Sequence, residues 1–343
     1  MSTNFMKLQT TYIASAVTAT VIVVAAYLMS RKKKDKVPEN WQEVGILEKI
    51  YLYPLKSGRR IELEAADCTK VGIRETEKFD KSFRLRDRSL VVYSPIDNEY
   101  KIGKMYPKLL FIEVDSTDME YITINAPDMR TLFVKIPMRG ETEERDIVQF
   151  NHEKVNTLDC GDEAGQWISQ YILGKDEGLR IGYNDGKKPR NIEMHKEKAK
   201  YYKNFANDAA GLHSDMAAIH LINQASIDDL NQRLSNEDKI TALNFRPNFT
   251  IKGENLKPYE EDKWDWIKIG DVILRNAMEC GRCVLTTINQ DTAERNRSME
   301  PLKTLKLYRI GDGPDKYPVM GAYLKFITLG QVKVGDKVYI GSQ

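Results

Sequence analysis

Cysteine is scarce in this chain: four in 343 residues, of which Cys68 and Cys160 stand alone and Cys280 and Cys283 form a single C-x-x-C. A small secreted scaffold would carry more, at regular spacing, so the thiols read as free and the compartment as reducing. Charge of one sign is also lacking, since 52 basic and 50 acidic residues leave a net charge of +2, which excludes the basic bias of a nucleic-acid binder. His152, His195, His213 and His220 form no i, i+4 pair, so no metalloprotease pattern exists, and all four read as ordinary surface or core residues. With no second C-x-x-C and no paired histidines, a four-ligand structural zinc site is also excluded. There is no G-x-S-x-G and no glycine-rich dinucleotide fingerprint. Repeats and low-complexity segments are absent as well.

One long apolar run is present. Tyr12–Met29 carries no charge and is followed by Arg31, Lys32, Lys33, Lys34 and Lys36, with only Lys7 before it. Its length just reaches the minimum of about 17 residues for a membrane span. A cleaved signal peptide would have a shorter core of about 7–15 residues, with its positive charge in front. The run is therefore expected to be an anchor, and the cluster behind it keeps the body, from Val37 onward, on the cytosolic side. Its modest hydropathy suits a thin membrane, with the mitochondrial outer membrane expected and the endoplasmic reticulum as the alternative.

Beyond a charged linker, the chain reads as many short strands with few helices. Strands are expected at Ile46–Tyr53, Arg60–Leu63, Leu90–Tyr93, Leu109–Val114, Tyr121–Asn125 and Leu132–Ile136. Apolar residues at helical spacing predict a helix over Glu163–Leu173, stopped by Gly174. The polar stretch Asp185–Lys200 is the expected domain boundary, followed by a strand at Ala217–Ile222 and a helix capped by Ser226. Strands return at Asn248–Lys252, Trp266–Ile269, Val272–Ala277, Val284–Ile288, Met320–Thr328 and Gln331–Ile340. The fold class is mixed α and β, mainly β: a barrel-like core with peripheral helices and no βαβ rhythm.

Four segments could carry chemistry. In Cys280-Gly281-Arg282-Cys283 the guanidinium beside Cys283 favours a thiolate, the ligand a sulfur-preferring metal selects. A structurally inert pair is the competing reading, and the β-like Val284–Ile288 behind it speaks against a thioredoxin-type dithiol, which should open a helix. Arg246, before Pro247, is expected to be extended, either as a surface residue or as a fork for phosphate or carboxylate. Lys56-Ser57-Gly58 is an anion-binding turn or an ordinary solvated one, and Arg84–Arg88 a functional or a solvated run.

Taken in order, YPLKSGR (53–59), RDRSLVV (86–92), NFRPNFTI (244–251), WDWIKIGDVILRNAMECGRCVLTTINQDT (264–292), EPLKTLKLYR (300–309) and KVGDKVYI (333–340) resemble the MOSC family, named for molybdenum cofactor sulfurase C-terminal domains. More narrowly they resemble the amidoxime-reducing components of mitochondria. The resemblance implies an anchor and basic flank at 1–36, a MOSC N-terminal β/α domain of barrel-like character at 37–184 and a MOSC domain at 185–343. It implies that Cys283 is the molybdenum ligand. Lys56, Ser57, Arg88 and Arg246 would hold the pterin and its phosphate, and Gly281, Arg282 and Tyr323 would line the same molybdenum cofactor (Mo-molybdopterin). Ser214–Ala218 would approach it too, with side chains unlike the expected ones. The implied activity is reduction of small N-hydroxylated compounds, amidoximes and hydroxylamines, with electrons from NADH through cytochrome b5 reductase and cytochrome b5. The alternatives are a cofactor carrier without reductase activity and a tethered interaction protein whose C-x-x-C is structural.

Overall fold

The computed structural model describes residues 36–77, 83–116, 118–192 and 195–342. The expected anchor at 12–29 lies outside the described residues, and among these no helix is long and apolar enough to cross a membrane.

The described chain is mainly β, and its centre is a closed barrel of seven strands. Around the barrel run Phe249–Lys252, Ile219–Asn223, Val319–Phe326, Val272–Gly281, Trp266–Ile269, Lys337–Ser342 and Asn40–Leu52. The last pairs back onto the first, Ile50 opposite Phe249 and Leu47 opposite Ile251, so both edges are used up. Inward positions are filled by aliphatic and aromatic side chains with no exposed surface, among them Leu47, Ile50, Phe249, Ile267, Leu274 and Leu324. Each is worth roughly 1.5–3 kcal/mol on burial.

One βαβ unit does occur. Ile219–Asn223 and Phe249–Lys252 are parallel, Leu221 opposite Phe249, and the helix Gln224–Arg233 crosses between them. That helix is capped by the Asn223 side chain accepting from the Ala225 N–H, not by Ser226, whose hydroxyl instead serves the buried Glu261.

A five-stranded sheet is built from Glu144–Val148, Lys154–Asp159, Arg180–Tyr183, Leu90–Tyr93 and Tyr100–Lys101. The helix Asp162–Leu173 buries Ala164, Trp167, Ile168 and Tyr171, and Gly174, at φ 65°, ends it. Two three-stranded sheets complete the fold. One of them joins Gly330–Lys333 to Ala65–Thr69 and Gly72–Glu75.

Several local expectations fail for local reasons. Val284–Thr287 is a 3-10 turn: the Thr286 and Thr287 hydroxyls donate back to the Cys283 and Val284 carbonyls, which overrides their β propensity. Leu109–Val114 is split between a 3-10 turn at Pro107–Phe111 and a strand at Glu113–Ser116. The run Gln331–Ile340 is broken at Gly335, φ 90°, and its halves join different sheets. Asp185–Lys200 is largely irregular, as expected, yet it contributes buried Arg190, Ile192 and His195.

Candidate functional site

A cleft of about 270 Å³ opens beside the barrel, and Lys56, Ser57, Arg88, Arg246, Gly281, Arg282, Cys283 and Tyr323 all line it. Five segments distant in sequence therefore converge.

The strand Asn40–Leu52 leaves the barrel at Pro54 and is stitched to the segment before Leu90–Tyr93. The Lys56 N–H donates to Leu90 O at 2.8 Å, the Leu90 N–H to Pro54 O at 2.9 Å and the Arg88 N–H to Tyr53 O at 2.6 Å. This brings Lys56, Ser57 and Arg88 together. Ser57, Arg88 and Arg246 all adopt left-handed backbone, at φ 66°, 49° and 52°. Such conformations in non-glycine residues cost energy and gather where a side chain must be aimed. For Arg246 this corrects the extended conformation expected before Pro247: the residue closes the 3-10 turn Ala242–Phe245, its N–H bonded to Leu243 O.

Asn248 ties these pieces to the barrel. Its amide donates to Tyr51 O and Asp87 Oδ1, and its Oδ1 accepts from the His220 N–H and, at 3.4 Å, from Arg88. Arg88 is further paired with Asp87 and donates to Arg246 O. Arg246 donates to Gln290 Oε1 and Gly58 O, each at 2.8 Å. Both guanidinium groups pack against Tyr53, at 4.8 and 4.2 Å from its ring centre. Burial, with Arg88 close by, lowers Arg246 to about 10, and burial pushes the Tyr53 phenol up to about 12.

The strand Val272–Gly281 delivers the cysteine pair, and the two thiols part company. Cys280 is fully buried, and burial raises its pKa; the Arg282 guanidinium donates to its sulfur and to Phe245 O. Cys283 is exposed in the cleft and begins the 3-10 turn. The bonds of Arg282 thus go to Cys280, although the sequence suggested a partnership with Cys283. Gly281 is not demanded by packing, since an added Cβ would meet Tyr317 at an ordinary 3.4 Å.

The remaining wall, Ser214–Ala217, is held from behind. Arg190 forms a two-pronged pair with buried Glu153 and donates to Ser214 O and Asp215 O, both at 2.6 Å. Lys56 donates to His213 O at 2.7 Å and to Asp215 Oδ1 at 2.6 Å. Burial lowers the Lys56 pKa, with Asp215 opposing. Burial works against the Asp215 charge, but Lys56, Arg88 and Arg282 outweigh it and hold that carboxyl well below its usual range. Seven lysines and arginines line the cleft against three carboxylates, so its field is positive.

Sequence reasoning missed His220, Glu279 and Arg190, and it placed Asp215 within the approaching segment Ser214–Ala218 without giving its side chain a role. His220 read as an ordinary histidine; it is buried in the cleft wall 5.7 Å from the Tyr323 ring, and burial, reinforced by Arg282, drives its pKa well down. Arg190 sat in a stretch that looked solvated. No periodicity marks either residue.

A closed β-barrel with a thiol exposed in a cationic cleft beside it defines the class. The MOSC domain family matches residues 208–339, and the MOSC N-terminal beta barrel domain family matches residues 44–176. Over 96% of its length the chain is 30% identical to mitochondrial amidoxime reducing component 2 of Rattus norvegicus, covering 94% of that protein. It is 32% identical to the Bos taurus component 2, over 87% of this chain and 84% of that one. Against mitochondrial amidoxime-reducing component 1 of Homo sapiens the identity is 30%, over 96% and 93%. The chain belongs to the family of mitochondrial amidoxime-reducing components.

Proposed function

We propose that this protein is a molybdenum cofactor-dependent reductase that removes oxygen from the N–O bond of small N-hydroxylated compounds, amidoximes and hydroxylamines among them. The observation that carries the reading is the exposure of Cys283 into a cleft where Lys56, Ser57, Arg88 and Arg246 converge. The names of the relatives point to the same reaction class.

The residues fit a phosphorylated pterin that brings a metal. The cleft is cationic, and two residues in its wall carry buried donors with no partner among the described residues, Ser214 Oγ and Arg282 Nε, as suits a ligand rich in acceptor oxygens. Cys283 would ligate the metal. Lys56, Ser57, Arg88 and Arg246 would hold the phosphate end, with Gly281, Arg282 and Tyr323 against the remainder. When bound, the cofactor supplies a redox metal able to accept the oxygen of an N–O bond, two electrons and two protons carrying that oxygen away as water. The chain's part is to bind and orient. Arg88 and Arg246 are fixed through Asp87, Asn248 and Gln290, so little side-chain entropy remains to be lost on anion binding. His220 faces Met320 O with Nε2 at 3.2 Å, so that nitrogen carries the proton of a neutral imidazole.

Electrons would come from NADH through cytochrome b5 reductase and cytochrome b5, whose acidic surface suits a basic docking face. The address would be the mitochondrial outer membrane, held by residues 12–29, with domains 37–184 and 185–343 in the cytosol.

The test is reconstitution of the full chain in detergent with cytochrome b5, its reductase, NADH and benzamidoxime, alongside a molybdenum assay. Wild type should carry near-equimolar molybdenum and consume NADH. Cys283→Ala should lose both metal and turnover, whereas Cys280→Ala should keep most of each. A fully loaded protein that leaves benzamidoxime untouched would make this a carrier, and a metal-free one would end both readings.

A further inference from the structure

Three carboxylates line the cleft, and two of them are neutralised: Asp215 by Lys56, and Asp315 by Lys198. Glu279 is the third, and among the described residues it has no ion pair. It lies two residues before Gly281 on the strand Val272–Gly281, half-buried, in the same cleft as Cys283. Its Oε2 accepts from the Tyr202 hydroxyl and from the Asp312 N–H, both at 3.2 Å, and its Oε1 accepts from none of the described residues.

This carboxylate is held in a shaped seat. A Cβ on Gly311 would come within 2.8 Å of Glu279 Oε2, and one on Gly313 within 2.4 Å of the Tyr202 hydroxyl. Glycine at both positions is what lets the chain close around the pair. A half-buried carboxylate without a cation is costly, and burial, with Asp262 adding to it, raises the pKa of Glu279 against the opposing hydrogen bonds from the Asp312 N–H and the Tyr202 hydroxyl. In a cleft whose other acids are matched, such a group calls for a partner that arrives from outside.

We infer that Glu279 is a substrate-recognition residue, accepting hydrogen bonds from the amidine-type N–H groups of the compound bound in the cleft. The ligand class is a carbon bearing two or more N–H-rich nitrogens, as in amidoximes and N-hydroxyguanidines, with Met278, Tyr317 and Val319 packing the attached hydrocarbon. The inference rests on the reductase reading for its substrates and adds a preference: heads rich in N–H donors over isosteric heads with fewer.

The probes are benzamidinium and its neutral isostere benzamide, titrated calorimetrically into the detergent-solubilised, cofactor-loaded full chain. Wild type should prefer benzamidinium by about tenfold or more despite the positive cleft, the scale of one charge-assisted hydrogen bond. Glu279→Gln keeps an acceptor for Tyr202 and Asp312; it should erase most of that preference at an unchanged melting temperature and leave benzamide binding alone. In turnover, E279Q should raise KM for benzamidoxime with little change in kcat, because the contact is made before and during reaction alike. Equal affinity of wild type for the two probes overturns the inference without any variant, as does equal benzamidinium binding by wild type and E279Q. Loss of benzamidinium binding in E279Q, in a protein that reduces no N–O compound, would uphold the recognition site and sink the reductase. Reduction that proceeds with the probe ratio unmoved would do the reverse.

Discussion

Replacing Arg190 by Met separates two jobs that this side chain does. Arg190 and Glu153 are 3% and 2% exposed at the side chain, and Glu153 stays ionised because Arg190, with help from His195, outweighs the burial that opposes its charge. Removing the guanidinium strands a buried carboxylate, a loss of about 3–5 kcal/mol. The same change takes the donor from Ser214 O and Asp215 O, the backbone of the cleft wall, at about 1 kcal/mol each. Arg190→Met should therefore lower the urea midpoint sharply and empty the site of molybdenum. Combining it with Glu153→Leu removes the stranded charge, and most of the stability should return. The wall carbonyls stay unheld, so molybdenum should not return with it. Urea unfolding and metal content, measured on wild type, the single and the double variant, decide the matter. A loss under about 1 kcal/mol in Arg190→Met would refute the stability argument. A stable double variant with full molybdenum would refute the positioning argument.

Two further outcomes follow from buried polar groups. Glu261 is fully buried, and burial, with Asp262 beside it, raises its carboxyl from 4.5 to about 7. A carboxyl raised on folding stabilises fully below pH 4.5, and that contribution is lost as pH climbs through about 7. At about 1.4 kcal/mol per unit the loss is about 3 kcal/mol, so Glu261→Gln should flatten unfolding stability between those limits; an unchanged pH profile would contradict it. Asn248→Leu leaves Tyr51 O, the His220 N–H and Asp87 short of partners in a site 1% exposed, and should cost about 2–4 kcal/mol along with molybdenum retention. Calorimetric melting and metal assay check both effects, and a neutral melt would remove Asn248 from its tying role.

The parts of the fold that local pattern controls were legible. Trp266–Ile269 reads directly as a strand, and the helix ending at Gly174 follows from its apolar spacing and its glycine stop. Pattern failed where side chains bond back to the backbone, as Thr286 and Thr287 do, and where the chain takes left-handed backbone, as at Arg246. The site was legible at positions that carry motif residues, and those came through resemblance rather than periodicity. Arg190 and Glu279 stayed hidden because their meaning lies in what tertiary packing sets beside them. A lone glutamate in a strand and a lone arginine in a polar stretch look solvated until the fold pairs the arginine with Glu153 and leaves the glutamate, among the described residues, without a cation.

The closure of the barrel carries a consequence of its own. Strand Asn40–Leu52 seals the gap between Phe249–Lys252 and Lys337–Ser342, with Leu47 bonding to Gly335 and Asp336. A fragment holding only the downstream half would expose two raw β edges, a template for aggregation. A fragment holding only the upstream half would carry a stave with nothing to seal. The architecture thus makes this molecule indivisible: the segment leading out of the charged linker is also the stave that closes the barrel against its downstream half, and such distant pairing makes for slow assembly.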